Sequence, residues 1–198
     1  MPFAFSFLAC LLDNVRRILL IGSGGSGKTT LAKEIARRTG LPLIHLDQLF
    51  WRPGWVPTPD DEWDATILEL SRREAWIMDG NYGRTLPVRL ARADAVVFLD
   101  VHPLVCMYRV IKRRLKTRGV RPDVAPGCPE KLDWSFVQWI LTFRMARRPG
   151  ILAMLEATDP KVQVHVLRSD ADARQFLAQN LTRNASEPVV AKHGEEQT

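Results

Sequence analysis

Residues 22 to 29 read Gly22-Ser23-Gly24-Gly25-Ser26-Gly27-Lys28-Thr29, an octapeptide that satisfies G-x-x-x-x-G-K-[ST]. Its neighbourhood has the order that a phosphate-binding loop requires. Before it, Arg16-Arg17-Ile18-Leu19-Leu20-Ile21 is a short apolar run of buried-strand type; after it, Thr29 to Thr39 carries Leu31, Ala32, Ile35 and Ala36 at helical spacing. Glycines let the backbone turn tightly and aim successive N–H groups at a polyphosphate, and the helix that follows adds the positive end of its dipole. On this reading Gly22, Ser23, Gly24, Gly25, Ser26, Gly27, Lys28, Thr29 and Thr30 cradle the phosphates of ATP. Lys28 reaches the β and γ phosphates as a point charge, and Thr29 offers its hydroxyl to Mg²⁺. The plainer alternative is a glycine-rich turn that opens an ordinary helix.

Outward from the loop, β-rich and helical stretches alternate. Leu43 to Leu46 reads as a second strand ending at Asp47, and Thr58-Pro59-Asp60-Asp61 as an N-cap, a proline at N1 and acidic residues opening a helix that runs to about Arg72. Ala75 to Met78, Ala95 to Leu99 and Val162 to Leu167 read as three further strands, closed by Asp79-Gly80, by Asp100 and by a helix from Asp170 to about Gln179. Three helices are expected at about 103 to 118, 133 to 146 and 150 to 157. Strands separated by helices predict a five-stranded parallel sheet covered on both faces, an α/β P-loop fold.

In an open parallel sheet, ligands bind beyond the carboxyl ends of the strands, which singles out Asp47, Asp79 and Asp100 beside the loop. Asp79 is expected to organise Mg²⁺ with Thr29. Asp47 is a candidate for the acceptor end of the site, with a turn or helix cap as the competing reading, and a cap is the favoured reading for Asp100.

Two stretches carry a resemblance. Trp76 to Thr85, WIMDGNYGRT, is similar to the strand and loop D-G-F-P-R-T of adenylate kinases, and Phe98 to Arg114, FLDVHPLVCMYRVIKRR, resembles the strand and helix that lead those enzymes into their lid. HLDQLFWRPGW, DGNY and RPDVAPGCPEKLDWSFVQWI together look like the adenylate-kinase-related group labelled DNA topology modulation proteins. The resemblance runs from about Arg16 to Asn180 and implies a nucleoside-monophosphate-kinase-like fold with a helical, basic lid at about 109 to 130. It also implies an ATP- and Mg²⁺-dependent transfer of the γ-phosphoryl group to a small acceptor, with Lys28, Arg109, Arg113 and Asp47 as catalytic residues and Arg84 holding the acceptor or its phosphate. Asn81-Tyr82-Gly83 depart from the Phe-Pro of adenylate kinases, and the residues after Asp47 do not resemble an AMP-binding helix.

Charge is concentrated in the same place. Arg109, Lys112, Arg113, Arg114, Lys116, Arg118 and Arg121 put seven cations into thirteen residues without an acid, and without those seven the formal +6 of the chain would fall to −1. Arg109 and Arg113, at i and i+4, share a helix face, suited to a lid that closes on the transferring group. A patch for DNA phosphates across 109 to 121, and a solvated helix face, are the alternatives. Trp51 and Trp55, in the proline-rich stretch WRPGWVP after Asp47, could wall a substrate pocket or simply pack the loop. Trp76, Trp134 and Trp139 read as core, and Leu132 to Phe143 as a buried segment or a dimer contact.

With 198 residues, 46% of them hydrophobic, the chain suits one globular domain, here about 16 to 182. Cys10, Cys106 and Cys128 fit neither a disulfide framework nor a zinc site, so reduced thiols and a cytoplasmic setting are expected, with Cys106 a buried small hydrophobe. The apolar stretch Phe3 to Leu12 is too short to span a bilayer and lacks a basic leader; it reads as an N-terminal extension over 1 to 15 without stable membrane insertion. The polar tail from about Arg183 to Thr198 is expected to be disordered.

Overall fold

The computed structural model describes residues 15–117, 124–128 and 133–180. In chain order its elements are β1 (Arg17–Gly22), α1 (Lys28–Thr39), β2 (Leu43–His45), α2 (Leu46–Phe50), β3 (Trp51–Arg52), β4 (Val56–Pro57), α3 (Asp60–Arg72) and β5 (Trp76–Asp79). A 3-10 turn at Gly83–Thr85 follows, then α4 (Leu86–Leu90), β6 (Ala95–Leu99), α5 (Pro103–Thr117), α6 (Trp134–Ala146), α7 (Arg148–Glu156), β7 (Gln163–Leu167) and α8 (Asp170–Asn180). Five strands form one parallel sheet in the order β2-β5-β1-β6-β7, and β3 pairs antiparallel with β4 as a separate hairpin.

The two-residue period of the strands divides the core. Ile18 and Leu20 of β1, with Ile77, Ala95 and Val97, face α1, α5 and α8 through Leu31, Ile35, Cys106, Val110 and Phe176. Leu19 and Ile21, with Trp76, Met78, Val96 and Phe98, face α3, α4 and α7 through Trp63, Ile67, Leu86, Leu90, Ile151 and Leu155. Because both faces are covered, the three central strands are apolar at every position up to their ends instead of alternating. α1 stops at Gly40, whose positive φ of 73° suits glycine and lets its N–H bond the carbonyl of Ala36. α6 starts at Asp133, whose carboxylate accepts the N–H of Phe136 at 2.8 Å.

Several expectations need correction. Thr58 does not cap α3: the hairpin turns it back so that its hydroxyl donates to the Phe50 carbonyl at 2.7 Å, and Pro59 flanks the helix. The second strand ends at His45, one residue early, because Leu46 already opens α2. Trp76 is in the core, but Trp134 is 75% exposed, since α6 buries only the face that carries Ile140 and Phe143. Asp100 is not a cap. Its carboxylate, 1% exposed, accepts from Arg148 Nε at 2.8 Å and lies 3.7 Å from Arg144 Nε, which ties the end of β6 to α6 and α7. The N-terminal stretch 1–14, the tail from 181 and lid residues 118–123 and 129–132 lie outside the described residues. Among the described residues no helix is long and apolar enough to cross a membrane.

Candidate functional site

The sheet order aligns the carboxyl ends of β2, β5, β1 and β6, so His45, Asp79, Gly22 and Leu99 stand in a row, with Asp47 just beyond His45 in α2. Between β1 and α1 the glycine loop turns with positive φ at Gly22 (147°), Gly25 (77°) and Gly27 (102°). A Cβ on Gly22 would come to 2.6 Å from the Leu99 carbonyl, and one on Gly25 to 2.3 Å from the Cys106 carbonyl, so neither position has room for a side chain. The loop is therefore seated directly on β6 and α5. Lys28 opens α1 and folds back over the loop, donating to the carbonyls of Gly22 at 2.8 Å and Ser23 at 2.9 Å.

Thr29 and Asp79 are brought together as expected. Thr29 Oγ1 donates to Asp79 Oδ2 at 2.7 Å, and the same oxygen lies 3.2 Å from His45 Nδ1. One hard hydroxyl and one hard carboxylate beside a helix N-terminus suit Mg²⁺, which usually takes one or two carboxylates and completes its shell with phosphates and water. The loop also fits an anion: the hydroxyls of Ser23 and Ser26 are buried in it without a hydrogen-bond partner.

On the acceptor side, the Tyr82 hydroxyl donates to Asp47 Oδ1 at 2.6 Å. Burial and the charge of Asp47 both push the Tyr82 phenol above its ordinary pKa, so it stays a donor. Phe50, Trp63 and Tyr82 pack with ring centroids 4.6 to 5.0 Å apart, and Trp51 meets Trp55 at 5.3 Å. Those two tryptophans close against Val124, Ala125 and Cys128, while Gly54 N–H bonds the Gly127 carbonyl at 3.0 Å. The return limb of the lid region thus rests on the β3–β4 hairpin.

The arginines divide. Arg109 Nη1 donates to the Ser26 carbonyl at 3.1 Å and Nη2 to Asp170 at 2.8 Å, which places it against the outside of the loop. Arg113 is half-buried on the same side of α5, whereas Lys112, Arg114 and Lys116 are exposed; Arg118 and Arg121 fall outside the described residues. Arg84 is exposed and pairs with Asp64 at 3.0 Å and Asp60 at 3.2 Å, at the start of α3. Cys106 is fully buried, and burial pushes its thiol pKa up, which suits a packing role.

Three site residues were not singled out from the sequence. His45 reaches Asp79. Asn81 grips the loop: its Oδ1 accepts the Gly22 N–H at 2.8 Å and its Nδ2 donates to the Gly22 carbonyl. Arg89 is fully buried beneath this segment. The sequence signal for Asn81 was its departure from the Phe of the adenylate-kinase pattern; Arg89 left none.

Comparison with known proteins agrees with this geometry. Residues 18–73 match the ATPase family associated with various cellular activities (AAA). A "Putative adenylate kinase" of Thermococcus onnurineus (strain NA1) is 32% identical over 109 residues, 52% of this chain and 55% of that protein. The chain spans about half the length of the curated relatives it matches. A shikimate kinase from Acinetobacter baumannii, solved in complex with shikimate, superposes with a TM-score of 0.57 at 16% identity, covering 85% of this chain and 92% of that one. A shikimate kinase from Bacteroides thetaiotaomicron gives 0.52 at 18%, covering 83% and 97%. The fold is that of P-loop kinases of the nucleoside-monophosphate-kinase type.

Proposed function

We propose that this protein is a phosphotransferase that binds Mg-ATP and delivers its γ-phosphoryl group to a hydroxyl of a small molecule, a nucleotide being one candidate class. The observation that carries this reading is the Thr29–Asp79 pair, 2.7 Å apart at the mouth of the glycine loop, with Lys28 folded across the same loop. Bound Mg-ATP would supply the transferred group. The chain's own residues have positioning and charge to contribute, which is most of what phosphoryl transfer asks of a protein.

Residues 22 to 30 hold the phosphates through backbone N–H groups, and Lys28 exchanges its two carbonyl partners for phosphate oxygens. Thr29 and Asp79 hold Mg²⁺. Arg113 neutralises charge on the transferred group as the lid closes, and Arg109, already bonded to the Ser26 carbonyl, steadies the loop from outside while adding its charge. Asp47, kept in place by Tyr82, orients the acceptor hydroxyl. Arg84 contributes to the acceptor only if it leaves Asp60 and Asp64. The likeness of HLDQLFWRPGW and DGNY to the topology modulation group belongs with this reading and supports a site of its own kind instead of an AMP site.

Calorimetry with Mg-ATP, beside an ADP-release screen over nucleotides, nucleosides, sugars and hydroxy acids, tests it. An acceptor that multiplies turnover in the wild type and not in Lys28→Ala is the expected result. Folded protein that binds no Mg-ATP would refute it.

A further inference from the structure

Arg89 combines complete burial with a full charge. It is 0% exposed, and among the described residues no carboxylate pairs with it. Its guanidinium spends its donors on consecutive backbone carbonyls: Nη1 donates to Gly80 at 2.9 Å, and Nη2 to Tyr82 at 2.8 Å and to Asn81. Burial pulls its pKa down to about 9, which still leaves it charged at neutral pH. A buried cation without a counter-ion is costly, and an apolar side chain would fill the same core position at less expense. What the cation holds is therefore the informative part.

It holds a loop of unfavourable backbone. Gly80 has a φ of 152°, where a Cβ would come to 2.9 Å from Leu46 Cβ, and Tyr82 sits in the left-handed region at 34°, uncommon for a residue with a side chain. From between them Asn81 sends its amide to both the N–H and the carbonyl of Gly22, the first residue of the phosphate loop. The sequence of contacts is Arg89 to three carbonyls, the loop to Asn81, and Asn81 to Gly22. A planar fork can bond three acceptors in one plane, and a lysine ammonium cannot reproduce that geometry.

We infer that Arg89 is a positioning residue for the phosphate loop, acting through Asn81. The inference rests on the proposed nucleotide site and adds to it two residues outside the G-x-x-x-x-G-K-T stretch. Asn81 fixes the peptide that starts the loop, and Arg89 fixes Asn81.

The test uses the full chain as wild type, Asn81→Ala, Arg89→Lys and the double variant, each checked for folding by circular dichroism. Two quantities are measured: the Kd for Mg-ATP by calorimetry and the exchange rate of the Gly22 amide by NMR without nucleotide. Asn81→Ala is expected to weaken Mg-ATP by about tenfold and to speed Gly22 exchange by about tenfold or more, since the amide loses its acceptor. Arg89→Lys is expected to do the same, and the double variant to be within about twofold of the weaker single, as residues acting in series require. Wild-type affinity in folded Arg89→Lys, or losses that multiply in the double variant, would overturn the inference. If Arg89→Lys does not fold, Gly22 exchange in Asn81→Ala decides: an unchanged rate overturns it. Wild-type protein that ignores Mg-ATP refutes the proposed function instead, and the exchange rates still decide this one.

Discussion

Gly25→Ala is the sharpest structural test of the site, because its expected cost can be built from two separable parts. The first part is conformational. Gly25 has a φ of 77°, in the left-handed region, and Gly40 at the end of α1 has nearly the same value, 73°, with nothing within 4 Å of an added Cβ. Gly40→Ala therefore isolates the backbone penalty, about 1 kcal/mol. The second part is steric and belongs to Gly25 alone: its Cβ would stand 2.3 Å from the Cys106 carbonyl and 2.9 Å from Val110 Cγ2, both on α5. A carbon and an oxygen need over 3 Å, so loop or helix must move by about 1 Å, and such overpacking costs typically ~1–3 kcal/mol. Gly25→Ala should lose about 2–4 kcal/mol in urea unfolding, against about 1 kcal/mol for Gly40→Ala. Calorimetry should show Mg-ATP affinity falling for Gly25→Ala and holding for Gly40→Ala. Equal unfolding losses for the two would mean that α5 does not press on the loop, and the seating that places Arg109 and Arg113 beside it would be wrong.

Four other outcomes are expected. Thr29→Val, which removes the hydroxyl donated to Asp79, should raise the Mg²⁺ concentration needed for half-maximal Mg-ATP binding, whereas Thr29→Ser should stay near wild type; the comparison is a Mg²⁺ titration at fixed ATP. Arg148→Met should destabilise by about 3 kcal/mol in chemical unfolding, because it strands the buried Asp100 carboxylate, and adding Asp100→Asn should recover part of that loss. Asp94 governs part of the acid limb: burial alone would raise its pKa, but the Arg17 guanidinium and the N–H groups of Arg16 and Arg17 outweigh it and hold the carboxyl below the ordinary range. Its stabilising contribution is thus present above the unfolded pKa of about 4 and disappears as pH falls through the lower folded value, so Asp94→Asn should flatten melting temperature against pH below about 4. Arg113→Ala should cut single-turnover phosphoryl transfer far more than it weakens ATP binding, by up to ~10³-fold, while Lys116→Ala costs little; small, equal effects would remove Arg113 from the catalytic set.

Legibility in the sequence followed the range of the interaction. The β1–loop–α1 unit could be read because its determinants are local: an apolar strand, fixed glycines and a periodic helix lie within 24 residues, 16 to 39. The five strands were found for the same reason, being buried on both faces and hence continuously apolar. α2 and α4, of five residues each, are too short to show a helical period, and the β3–β4 hairpin pairs only two residues per strand. Trp134 was misplaced because hydrophobicity gives the content of a helix and not how many of its faces are covered. Thr58, taken as a cap from the T-P-D-D pattern, is captured by Phe50 across the hairpin, a contact eight residues away that no local propensity encodes.

Polar contacts between distant segments were the least legible, and they are the ones that assemble the site. Asp79 could be anticipated because a strand end beside a phosphate loop is a place where a carboxylate has a known use. Asn81 and Arg89 have no such prior: an asparagine after Asp-Gly reads as a turn residue, and an arginine in LPVRL reads as a solvated helix position. Yet β5 lies between β1 and β2 in the sheet, so whatever follows β5 must touch both the phosphate loop and the acceptor loop. Asn81 bonds Gly22 on one side and Tyr82 bonds Asp47 on the other. The segment after the middle strand of the three is where donor and acceptor geometry have to be reconciled, and a fully buried arginine is the device this chain uses to keep it fixed.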